Sequence, residues 1–317
     1  MNVLVSGVGV VLPWAATAAE LIEPGPADAP PVEPKDLVGK KGLRYKDRAT
    51  QLAYCAARAA LLDAALVDED GPTVAAGSVA VVVSSNYGNL DTVTRAMDTI
   101  TRETAAAGSP MDLPNASSNV VASSVAIRFG LRGPNLMLCN GATSGLDALR
   151  WGAGLIRAGR VTRALVLGVE PDNAAVRAFT GADRLLDGAV AVVLESEAAA
   201  AGRGVPGLAV LGAEVRGAGL ATSLARLAGP ADERPALWQV PETDPGADAL
   251  PAELLDGVPR DDLGERFGTA SGALGVLQCA AAVGWFARGG AGPVLASAGT
   301  DTDDASAGLV LLRPAAV

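Results

Sequence analysis

Three short stretches limit the fold of this chain more than anything else in it. Val79–Ser84, Ala164–Val169 and Ala189–Leu194 are almost unbroken apolar runs, rich in valine and lacking polar alternation. A strand with one wet face alternates apolar and polar residues. An unbroken β-branched run is a strand buried on both faces. Such strands need helices on both sides, which predicts a layered α/β architecture. The remaining pattern agrees. Asn2–Val11 reads as a first strand, Ala49–Leu66 as a helix, Asp91–Glu103 as another, and Ser117–Phe129 as a third that Gly130 caps. A short strand at Leu136–Cys139 leads into a helix over Ser144–Ala158. Glu195–Gly207 reads as an alanine- and glycine-rich linker, and after it the pattern restarts. A strand at Leu208–Val215 precedes a proline- and acid-rich stretch from Gly229 to Gly264, which reads as a functional or partner-covered loop, or as a solvated surface loop. A helix within Ser271–Ala287 and strands at Pro293–Ala298 and Ala307–Leu312 complete the chain. Two successive sets of strands and helices predict a duplicated unit whose second copy is short.

Half of the residues are apolar but only 3% are aromatic, so the core must be built from small, closely packed side chains. The uncharged segment Phe267–Ala287 is long enough to span a bilayer. Its Thr269, Ser271, Gln278 and glycines instead predict a buried core helix. The N-terminal residues lack the basic start and cleavage site of a signal peptide, and a cytoplasmic protein is expected. The net charge of −10 argues against nucleic acid or an anionic membrane as partner, while leaving room for a local basic patch. Cys55, Cys139 and Cys279 are far apart and sit in apolar stretches, as buried reduced thiols do. There is no histidine among the 317 residues. That removes histidine metal ligands and the usual imidazole acid–base chemistry, so neither a metal nor a cofactor is expected.

One turn carries the outline of a catalytic device. Gly141-Ala142-Thr143-Ser144-Gly145 joins a strand to a helix through small residues. Such turns present a nucleophile at a helix N-terminus, where a developing anion is favoured. Gly133-Pro134 lies nine residues ahead of Ala142. With that spacing, the stretch resembles the nucleophile elbow of the β-ketoacyl synthases of the thiolase fold. Other segments resemble the same family in the same order. These are Val5-Ser6-Gly7-Val8-Gly9-Val10-Val11, Asp47-Arg48-Ala49 with Leu62-Asp63-Ala64-Ala65-Leu66, and Pro114-Asn115 through Gly133-Pro134. Ala164-Leu165-Val166-Leu167-Gly168-Val169-Glu170, the glycine-rich Phe267–Gly275 and the closing Ser306–Leu312 follow. The resemblance implies a single thiolase-like domain over 1–317, with a first half at 1–200 and a shortened second half at 207–317. Each half would be a mixed sheet sandwiched by helices.

Against that family the chain departs where the chemistry lies. Active members use a cysteine to take the acyl chain and two histidines to promote decarboxylation and hold the enolate oxyanion. Here Ala142 stands at the cysteine position and Thr269 at the second histidine position, while the first falls near Val240-Pro241-Glu242-Thr243. Cys139 comes three residues early and has no imidazole to activate it. The chain is also shorter than family members usually are, with one loss near Asp187-Gly188-Ala189 and others in loops of the second half. The resemblance therefore implies a non-catalytic subunit like the chain length factor of a type II polyketide synthase, of a highly reducing or polyene type. Such a factor pairs with an active ketosynthase, shapes its acyl tunnel and meets the acyl carrier protein indirectly through it.

By that resemblance, gate residues lie 45 to 52 positions before the elbow, at Leu90, Val93 and Met97, with Met111 and Leu113 as further candidates. Spacings of three and four put the first three on one helical face. That face also suits ordinary core packing. The strand at Leu136–Cys139 would form the dimer seam. Two other readings stay open: an independent acyl-processing enzyme working without Cys or His, and a homodimeric acyl-binding scaffold. Decay of a once-active gene is a third, and the intact closing strand argues against it.

Overall fold

The structure, a computed structural model, describes residues 1–26, 29–227, 234–243 and 252–315. Its first part runs β1 (Val3–Val11), α1 (Pro34–Val38), α2 (Arg48–Asp63), β2 (Val79–Ser84), α3 (Leu90–Arg102) and α4 (Asp112–Asn115). It continues through α5 (Val120–Phe129), β3 (Asn135–Leu138), α6 (Ser144–Arg157), β4 (Arg163–Glu170), α7 (Ala174–Thr180), β5 (Gly188–Ser196) and α8 (Glu197–Arg203). The second part is β6 (Ala209–Gly217), α9 (Leu220–Leu227), β7 (Leu237–Gln239), β8 (Arg260–Asp261), α10 (Leu263–Phe267), α11 (Leu274–Ala287), β9 (Val294–Ala298) and β10 (Ser306–Leu312).

The strands lie in the order β3-β2-β4-β5-β1-β6-β10-β9-β7-β8. Read outward from the central β1/β6 junction, the first five are β1, β5, β4, β2, β3 and the second five β6, β10, β9, β7, β8. Each strand of the second set is the counterpart of the strand numbered five lower, and the pairing directions repeat as well. β5 is antiparallel to β1 and β4, and β10 to β6 and β9, whereas the two outer pairs on each side are parallel. Among the described residues, the ladder between the two sets is short, pairing Leu4↔Val210 and Val5↔Ala209. The duplication read from the strand–helix pattern is thus real. The second set keeps all five strands, but β6 to β10 spans 209–312 where β1 to β5 spans 3–196, so its connections are the shortened part.

Valine-rich strands serve two cores at once. Val79, Val81 and Val83 face α2 and α5, while Ala80 and Val82 face α6, because successive side chains point to opposite sides of a strand. α6 and α11 fill the space between the two strand sets, and α9 covers the far side of the second set, over Leu295 and Trp238. Trp238 is fully buried and donates its indole N–H to Ser297 Oγ at 2.9 Å. The small-residue composition has a specific use where α6 crosses α11. A Cβ on Gly145 would lie 2.4 Å from Gly275 N, and one on Gly275 2.2 Å from Leu146 N. Only two glycines let these backbones touch.

Several expectations need correction. Glu195–Gly207 is not a linker: it holds the end of β5 and helix α8, which Ser196 caps through a bond from Ala199 N. The stretch from Gly229 to Gly264 is not one loop. Residues 229–233 and 244–251 lie outside the described residues, and the rest includes β7, β8 and the start of α10. Cys139 is exposed, beyond the end of β3, whereas Cys55 and Cys279 are buried as expected. Within Phe267–Ala287, Phe267 closes α10 and Ser271–Ala273 form a 3-10 turn before α11, which is the buried core helix expected, enclosed between the strand sets. Among the described residues, no helix is long and apolar enough to cross a membrane.

Candidate functional site

The elbow is built as the sequence suggests. β3 ends at Leu138, Gly141 turns the chain with φ +81°, a single 3-10 turn covers Gly141–Thr143, and α6 starts at Ser144. A side-chain cluster holds the turn. Asn140 Nδ2 and Thr143 Oγ1 donate to Asp147 Oδ2 at 2.7 and 2.8 Å, and Arg216 Nε reaches the same oxygen from β6 at 3.1 Å. Ala142 sits within this turn as a half-buried methyl group, so the turn that would present a nucleophile presents none.

The two positions that would carry imidazoles lie on facing segments. Thr269 is tied through its backbone to Arg184 and Leu186, in a parallel bridge to Leu185. Glu242, in the region of the first missing histidine, accepts the backbone N–H groups of Ala270 and, at 2.9 Å, Ser271. Its carboxylate thus supports the turn beside Thr269.

Sequence reasoning missed the residues at the centre of the site. Glu170, at the end of β4, is almost wholly buried and accepts four hydrogen bonds. They come from Asn86 N (2.5 Å) and Gly272 N (3.1 Å) to one oxygen, and from Ser85 Oγ (3.0 Å) and Tyr87 N (3.1 Å) to the other. Burial pushes its pKa up to about 8, against the pull of those donors. Asn86 bridges the elbow of the first half and its counterpart in the second. Its Nδ2 donates to Gly141 O (3.0 Å) and Ser271 Oγ (2.8 Å), and its Oδ1 lies 3.0 Å from Ser144 Oγ. The available signal was a lone carboxylate closing an otherwise apolar strand, Ala164 to Glu170. Cys139 Sγ approaches Asn86 O at 3.6 Å, and the partial desolvation of its sulfur together with the Glu170 charge raises its pKa. A raised thiol pKa is the opposite of what a nucleophile needs.

The gate candidates lie away from the cores. Leu90 and Val93 are half-buried, Met97 is 57% exposed, and Ile100 continues the same face at 47%. Met111 and Leu113, around α4, are also exposed, Leu113 at 82%. This chain leaves the apolar face of α3 open, so the ordinary core reading of these residues does not hold within it. β3 is an edge strand, paired only with β2 among the described residues. On the side of α5, Lys41, Lys46, Arg58 and Arg128 line an open cleft of about 640 Å³ that has no acidic residue in its wall.

The family described as "Beta-ketoacyl synthase, N-terminal domain" matches residues 35–199. A 3-oxoacyl-[acyl-carrier-protein] synthase 2 from Vibrio harveyi is 29% identical over 136 residues, which is 43% of this chain and 32% of that protein. The chain thus spans about a third of the length of this curated relative. Among solved structures, the ishigamide ketosynthase/chain length factor superposes with a TM-score of 0.76 at 24% identity, over 99% of both chains. A type II PKS acyl-carrier protein in complex with its ketosynthase bound to the hexaketide gives 0.77 at 14%, over 99% of both. A β-ketoacyl synthase from Burkholderia phymatum gives 0.77 at 17%, with the same coverage. At these identities the likeness is one of fold: a thiolase-like ketosynthase fold over nearly the whole chain.

Proposed function

The chain belongs to the β-ketoacyl synthase family, and from that premise we propose that it is a non-catalytic partner of an active ketosynthase. On this reading it is a chain length factor of a type II polyketide synthase, of the highly reducing or polyene type, acting in the cytoplasm. The observation that carries the reading is the elbow. Its tight turn, positive-φ glycine and helix start are all present, yet the reacting position is Ala142 and no imidazole exists in the chain. A fold kept without its chemistry is one whose surfaces and packing are in use. The open α3 face and the unpaired edge of β3 support a partner there. An open apolar face and a free strand edge are each what a second sheet-forming chain would cover.

Leu90, Val93, Met97, Met111 and Leu113 then border the partner's acyl tunnel, where one added methylene is enough to limit the depth of a chain. The acyl carrier protein reaches the complex through the active subunit, and the cationic cleft at Lys41 and Arg128 gives this chain its own surface for an acidic neighbour. Independent acyl transfer has less support, since Glu170 and Glu242 are both engaged with backbone N–H groups. Co-expression with an active ketosynthase, taken from beside this gene where one is encoded there, tests the proposal. A 1:1 heterodimer whose condensing activity needs both chains is expected. A well-folded homodimer indifferent to that ketosynthase overturns it.

A further inference from the structure

α3 is poorly held by packing. Of its thirteen residues only Thr92 is buried, so hydrophobic burial within this chain contributes little to its placement. The segment that leads into it is fixed by an unbroken run of hydrogen bonds. Ser85 N donates to Leu138 O (3.1 Å), Asn86 N and Tyr87 N to Glu170, and Gly88 N to Ser85 Oγ (2.9 Å). Leu90 N returns to Tyr87 O (2.9 Å), and Asn89 Nδ2 holds Asn115 O and Ser117 O. Every backbone N–H from Ser85 to Gly88 therefore ends on a fixed acceptor, and one carboxylate takes two of them. The Asn86 amide pins the same segment to both elbows, across 55 residues to Gly141 and 185 to Ser271.

We infer that Asn86 and Glu170 are positioning residues for α3, and that the emptied catalytic elbow has become the anchor from which this helix is aimed. Neither residue borders the open face of α3; they act through residues 85–89. The anchoring stands on the structure alone, while its effect on product length rests on the chain-length reading above.

Hydrogen exchange on the purified chain, and on the co-purified complex, tests the anchor. Asn86→Ala is expected to speed exchange of the α3 amides about tenfold, the loss of roughly one or two net hydrogen bonds, with α2 and α5 unchanged. Asn86→Asp keeps the acceptor for Ser144 but loses both donations, and is expected to loosen α3 to a lesser degree. Ser271→Ala removes only the far acceptor and serves where the larger change prevents folding. Exchange in α3 that stays at the wild-type rate in folded Asn86→Asp and Ser271→Ala overturns the inference, as does loosening spread evenly over the molecule. In the complex, a loosened α3 should broaden the product-length distribution. A loosened α3 with unchanged products upholds the anchor and removes α3 from the gate.

Discussion

At the residue scale, the site shows how much chemistry is missing when the elbow position is Ala142 and the chain holds no histidine. Returning a thiol with Ala142→Cys places it at the start of α6, where the helix terminus favours a thiolate. No imidazole stands by to promote decarboxylation or hold an enolate. The expected outcome is no condensation by this chain, checked by mass spectrometry of acyl transfer in a complex whose partner cysteine has been removed. Turnover above background would show that another group does the work. Glu170 carries a second prediction. Its pKa is raised from 4.5 to about 8 in the fold, so between those values the folded state binds more protons than the unfolded one. Its contribution is complete below about 4.5 and is lost as pH rises through 8. Asp47 is shifted upward as well, chiefly by burial. Melting temperature followed from pH 5 to 9 should fall for the native chain and fall less steeply for Glu170→Gln. Identical slopes would remove Glu170 from that dependence.

At the scale of elements, helix contact and buried charge govern stability. Gly275→Ala forces a methyl group to within 2.2 Å of the α6 backbone. It should cost about 3 kcal/mol, at the upper end of overpacking penalties, read from denaturant unfolding. A fully tolerated alanine would mean that the two helices can part freely. In β5, Glu195 is fully buried between Arg163 (2.6 Å) and Arg203 (2.9 Å). Glu195→Ala would leave two largely buried guanidinium groups without their counter-charge, a loss of about 3–5 kcal/mol in the same measurement. The sequence had assigned the following residues to a linker. Helix α8 escaped notice because a seven-residue helix with four alanines in its middle has no amphipathic period, and its place is set by the Arg203 contacts to Glu195, Ala64 and Ala65.

For the whole molecule, the open surface decides behaviour. Met97 and Ile100 on α3 and Met111 and Leu113 around the neighbouring α4 are exposed apolar side chains, and a chain alone should self-associate or bind a hydrophobic dye. A complex with the active ketosynthase should suppress that signal. In that complex Val93→Phe is expected to shorten the product or block the tunnel without touching the partner's cysteine. Unchanged products would remove Leu90, Val93 and Met97 from the gate.

The sequence by itself determined the layers and the loss of chemistry. Apolar runs without alternation require strands covered on both faces, and an alanine at the elbow with no histidine anywhere forbids thiol–imidazole catalysis, whatever the fold. It also disclosed the repeat, because local periodicity reports each element's own faces. Only the tertiary structure decided which distant residues meet. Asn86, Gly141, Glu170 and Ser271 converge because β2, β3 and β4 are neighbours and the second half folds back upon them. Likewise, Cys139 is exposed just past the edge strand β3, and the α3 face is open because no described part of the chain covers it. Burial there depends on what the rest of the fold covers, and a local pattern carries no record of that.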